Sequence, residues 1–74
     1  KSRLTRCDKR LAELSAAAQQ LDAQLADPAL YTPTARERQR DLVAERARVA
    51  QDIDAVETEW LALSEELERA ATAD

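Results

Sequence analysis

Residues 25–37 read LADPALYTPTARE. This stretch decides the fold, because the chain on either side is regular helical sequence and here it is not. Pro28 has no N–H to donate, and inside a helix its ring would clash with the preceding turn, at a cost of about 3 kcal/mol. It also pushes Asp27 out of helical geometry. A first helix should therefore end near Ala26. Asp27 then caps a short turn with Pro28 at its first position. Thr32-Pro33 repeats that pattern, a capping hydroxyl followed by proline, and Thr34-Ala35-Arg36-Glu37 is an alternative capping box for the same second start. Leu30 and Tyr31, the apolar residues of the connector, are expected to fold back over the helix ends. The chain has no glycine, so the reversal must be built from proline and capping side chains.

Working outward, each flank carries an apolar stripe. Leu4, Cys7, Leu11, Leu14, Ala18, Leu21 and Leu25 alternate spacings of three and four. Val49, Ile53, Val56, Trp60, Leu63, Leu67 and Ala70 do the same, and the line extends backwards through Arg46, Leu42, Gln39 and Ala35. Such a seam is the mark of coiled-coil packing. The expected architecture is all-α: a two-helix antiparallel coiled-coil hairpin with a short Pro-containing helical turn at its tip. Its parts are a helix over about 2–26, the turn over 27–33 and a helix over about 34–71, in one domain spanning 1–74. A connection this short favours antiparallel neighbours. Gln39 and Arg46 on the seam predict looser packing near the tip than around Trp60, which the register puts near Leu4 and Cys7.

Charge supports the reversal. Lys1, Arg3, Arg6, Lys9 and Arg10 stand against Asp8 alone, whereas residues 57–68 hold Glu57, Glu59, Glu65, Glu66 and Glu68 with no base. A hairpin lays these segments side by side; a continuous helix would hold them far apart. Each exposed pair is worth only about 0.2–1 kcal/mol, so the pattern speaks for orientation more than for stability.

Composition sets the function class. With 74 residues the chain cannot bury the core of a large enzyme. It has no histidine to act as base or metal ligand, no glycine-rich phosphate loop and no Cys/His spacing for zinc. Catalytic, cofactor and metal sites are expected to be absent. No apolar run approaches a membrane span, so no membrane partner is expected. A lone cysteine fits a reducing compartment such as the cytoplasm. Helical pattern is already under way at Leu4, which suggests a segment of a longer protein. The net charge of −4 does not suit a chain that binds nucleic acid over its whole surface.

Single residues leave alternatives open. Arg36, Arg38 and Arg40 follow the turn, diluted by Glu37 and Asp41: a solvated face, or a basic tip that touches phosphates. Tyr31 packs over the helix ends or meets a partner. Trp60 packs in the seam or stacks on a base. Cys7 is a small core residue. Arg46 can run its stem along the seam and keep its guanidinium in water.

Asp27, Pro28 and Leu30-Tyr31 at the turn, with Glu59-Trp60, Leu63 and Leu67 in the second helix, resemble the C-terminal coiled-coil domain of the ABC-F ATPases, of the Uup-like kind. The similarity spans about residues 9–69. It implies a helical hairpin joined by a linker to ATPase cassettes of the same chain, which bind ATP as their cofactor. It also implies partners of the translation machinery: the ribosome, or DNA for the Uup-like branch. The acidic second helix favours ribosome contact through the tip over DNA binding. The other reading is a purely structural strut, or a coiled coil that pairs with a second copy of itself.

Overall fold

In the computed structural model, which describes residues 2–72, the chain is a helical hairpin of 64 × 14 × 14 Å. Helix α1 runs Ser2–Leu25, two short 3-10 helices follow at Pro28–Tyr31 and Pro33–Ala35, and helix α2 runs Arg36–Thr72. At 1.5 Å per residue these helices are roughly 36 and 55 Å long. Helix α1 thus ends one residue before the expected Ala26, and α2 begins two residues after the expected Thr34, because a 3-10 turn takes up the difference. Lys1, the first of the basic cluster, lies outside the described residues.

The connector works largely as its prolines require. Asp27 is extended, at φ −71° and ψ 121°, and its Oδ1 accepts from the Ala29 amide at 3.0 Å, with Pro28 next in line. Thr32 is also extended, at φ −89° and ψ 156°, ahead of Pro33. Its hydroxyl, however, makes no cap to the following turn. It donates backwards instead, to the Ala29 carbonyl at 3.1 Å, and stands 3.3 Å from the Thr34 hydroxyl. The Thr32 main-chain oxygen takes the Ala35 amide at 3.0 Å. Thr34 lies within the second 3-10 helix and not at its cap, so neither hydroxyl caps as the sequence suggested. Among the described residues none has positive φ. The chain reverses without the left-handed conformation that glycine serves best.

Both stripes face inward as far as Leu63, but Leu67 and Ala70, which the sequence put on the same line, are exposed where α2 extends past α1. On α1, Cys7, Leu14, Ala18 and Leu21 are buried, with Leu4, Leu11 and Leu25 half-buried. On α2, Leu42 is buried, and Gln39, Arg46, Val49, Ile53, Val56, Trp60 and Leu63 are half-buried. Counting antiparallel from the Asp22–Arg46 ion pair brings Cys7 level with Trp60–Leu61, and Leu4 lines one hollow with Leu63 and Leu67.

Along α2 burial runs opposite to the sequence expectation, although Cys7 and Leu14 of α1, at 4% exposure each, are as buried as the residues of the tip. The core cluster is at the tip, where Leu21, Leu30 and Leu42 are each 5–6% exposed and Leu25 and Val49 pack against them. Towards the other end the α2 residues are only half-buried, and Leu67 is 50% exposed. The reason is geometric. At the tip the first 3-10 helix adds a third element that lays Leu30 across the seam. Two helices alone, further along, leave their flanks open.

Candidate functional site

The site suggested by sequence is the tip, and its residues are set by the two prolines. Because Pro28 ends α1 and starts a tight turn, Leu30 points into the core and Tyr31 points out. Tyr31 is 57% exposed, yet its hydroxyl donates to the main-chain oxygen of Leu25. That oxygen is one of the carbonyls a helix leaves unpaired at its C-terminus. Leu30 therefore folds back over the seam as expected. Tyr31 does so only with its hydroxyl and keeps its ring in solvent.

Pro33 brings the chain into α2 with Arg36 as its first residue. Arg36, Arg38 and Arg40 are all exposed, but they do not form one patch. Successive helical residues turn by about 100°, so Arg36 and Arg40 share a face and Arg38 points elsewhere. Arg38 leans towards α1, where its Nη2 donates to Gln24 Oε1 at 3.4 Å. Arg36 and Arg40 make no ion pair among the described residues. The basic surface of the tip is thus a pair of arginines, with the third tied to the neighbouring helix.

Further along, Arg46 occupies a seam position. Its Nε donates to Asp22 Oδ1 at 2.8 Å and its Nη2 to Oδ2 at 3.5 Å. This hydrogen bond raises the Arg46 pKa above its ordinary value, with the Asp22 charge adding to it and desolvation opposing it. Asp22 was not singled out from sequence. The available signal was its place beside Leu21, on the flank of the seam. Arg46 is half-buried at its seam position, and its guanidinium ends on the Asp22 carboxylate.

Asp27, Pro28 and Leu30 act structurally at the turn, as described above. Trp60 is half-buried at the other end and lines a hollow with Asp8, Leu11, Glu57 and Leu61. Cys7 is 4% exposed. Burial pushes its thiol pKa up, the Glu59 and Asp8 carboxylates add to that, and Arg3 opposes it. Among the described residues no ion pair joins the basic side chains at the start of α1 to the glutamates of residues 57–68. Among the described residues the ion pairs are Arg46–Asp22 and Arg10–Glu13, the latter within α1 at 3.8 Å.

Among the described residues no three His, Cys, Asp or Glu side chains could hold a metal ion. Among them, too, no helix is long and apolar enough to cross a membrane. No curated protein and no solved structure matches the chain. The model of one family, the ABC transporter C-terminal domain, matches residues 1–65, which takes in all of α1, the double-proline turn and most of α2. A helical hairpin reversed at Asp27-Pro28, matched over that length, belongs to the ABC transporter C-terminal domain family.

Proposed function

We propose that this hairpin is a non-catalytic module of an ABC-F-type ATP-binding protein, and that it presents its tip to the phosphates of ribosomal RNA or another nucleic acid. Family membership supports the first part. The second rests on one observation: Arg36 and Arg40 share a solvent-facing helix surface at the tip and are not neutralised by an ion pair. The exposed Tyr31 ring at the same end offers a surface for base stacking. The acidic stretch 57–68 lies at the opposite end of the rod, so a nucleic acid held at the tip does not meet it. In the parent chain, nucleotide chemistry would belong to the ATPase cassettes and the hairpin would serve as their reach.

The test is a binding titration of the 74-residue chain against purified ribosomes and, in parallel, duplex DNA, at two salt concentrations. The expected result is salt-sensitive ribosome binding, with Arg36→Glu and Arg40→Glu each weakening it and lowering the salt slope by about 1. Arg38→Glu should do less, because Arg38 is held by Gln24. Binding to DNA with equal affinity would move the proposal to the DNA-binding branch. If neither target binds, or the substitutions change nothing, the tip is not a phosphate-binding surface.

A further inference from the structure

Among the described residues the end of the hairpin away from the turn is open in a way the tip is not. Leu30, from a third element, closes the seam at the tip. At the open end no third element is present among the described residues, and the two flanks of the seam differ. On one flank Arg3 and Glu66 face each other across a hollow lined by Leu4, Leu63, Leu67 and Ala70. That flank is charge-balanced between its helices. On the other flank Leu11, Trp60 and Leu61 line a hollow of about 440 Å³, and its rim is Asp8 from α1 and Glu57 from α2. Both rims are acidic.

The acidic character extends beyond those two residues. Glu57, Leu61, Ser64 and Glu68 follow one another at spacings of four, three and four, so they form one line along α2. Leu61 is 57% exposed within that line. The basic residues Arg3, Arg6 and Arg10 turn away from it. Arg3 and Asp8, five residues apart, fall on opposite flanks of the α1 seam.

We infer that this groove binds a basic amphipathic helix of a protein partner. Apolar residues of that helix would cover Leu11, Trp60 and Leu61, while its lysines or arginines would lie along Asp8, Glu57 and Glu68. The occupant would do for the open end what Leu30 does for the tip. Charge decides against a second copy of the chain. A twofold contact through this flank would set Asp8 and Glu57 of one copy against the same carboxylates of the other.

Trp60 is the chain's only tryptophan and lines the groove, so its fluorescence reports occupancy. The probe is a synthetic helix of leucine, alanine and lysine with no tryptophan, compared with a version carrying glutamate in place of lysine. The lysine peptide should shift Trp60 emission to the blue, saturably and less at high salt; the glutamate peptide should not. Asp8→Lys with Glu57→Lys should weaken binding about tenfold, whereas Glu45→Lys with Glu66→Lys, the same change in net charge elsewhere, should not. Leu61→Ser, at an exposed position that does not threaten folding, should also weaken it about tenfold. Failure of the lysine peptide to bind would overturn the inference, as would equal binding of both peptides. So would equal loss from the two charge-reversed pairs. A chain whose mass grows with concentration while Trp60 shifts without peptide would overturn it in favour of a second copy. None of these readouts depends on the tip arginines, so this groove and the proposed tip contact stand or fall separately.

Discussion

The hydroxyl of Tyr31 donates to the main-chain oxygen of Leu25, tying the turn back onto the helix that Pro28 ends. Tyr31→Phe keeps the ring and removes only that bond. It is expected to cost about 0.5–1.5 kcal/mol in urea unfolding, the net value of one such bond. Tip binding should survive Tyr31→Phe and weaken with Tyr31→Ala if the ring is what a partner touches. Unchanged stability in the phenylalanine variant would mean that water serves Leu25 equally well.

Leu30 is 5% exposed and belongs to the core cluster, although it comes from the connector. Truncating it to alanine should cost about 2–5 kcal/mol, as for a buried leucine in any core. Leu67→Ala, at a 50% exposed position on the seam line, should change stability by no more than about 0.5 kcal/mol. Denaturant melts of the two variants side by side check the finding that the tip is the tighter end. Similar losses at both sites would contradict it.

Arg46 holds a seam position that leucine would fill, and Asp22 anchors it at 2.8 Å. Polar seam residues specify register at some cost in stability. Arg46→Leu is therefore expected to raise Tm and to loosen the register, visible as a change from wild type in how mass depends on concentration. Asp22→Ala, which leaves the guanidinium without its partner, should lower Tm. A hairpin whose Tm and mass ignore both changes would deny the pair any role in register.

Cys7 tests the seam at the open end. Its raised pKa leaves less thiolate at pH 8 than a free cysteine would have. A thiol reagent should react slowly with the native chain and quickly in denaturant. The sign for stability follows. The neutral thiol's contribution is intact below the ordinary thiol pKa of about 8.5 and is lost as pH rises through the higher folded value. Cys7→Ala should flatten that alkaline decline. Fast labelling of the native chain would show that the seam near Trp60 opens readily.

Much of this was legible along the chain. Pro28 and Pro33 placed the reversal, because a missing N–H and a fixed φ act within a few residues. The alternating spacings from Leu4 to Leu25 and from Ala35 to Leu63 picked out the inward face, because helical periodicity is local. LADPALY with ETEWLALSEELE pointed to the family that matches residues 1–65. What depends on distance along the chain was not legible. Arg36, Arg38 and Arg40 read as one cluster; helical period alone sets Arg38 apart from the other two, but that Gln24 of α1 holds it was not legible. Gln39 and Arg46 suggested a loose tip; the fold-back of Leu30 was expected, but not that it packs with Leu21 and Leu42 into the core cluster, nor that Asp22 arrives from α1 to satisfy Arg46. Thr32 read as a cap, but its hydroxyl found the Ala29 carbonyl instead. The sequence by itself determined where the helices start, stop and turn inward, since those follow from backbone sterics and period. Only the tertiary structure decided which end is closed and which flank is acidic on both sides, since burial and charge complementarity depend on what a second and a third element bring across the seam.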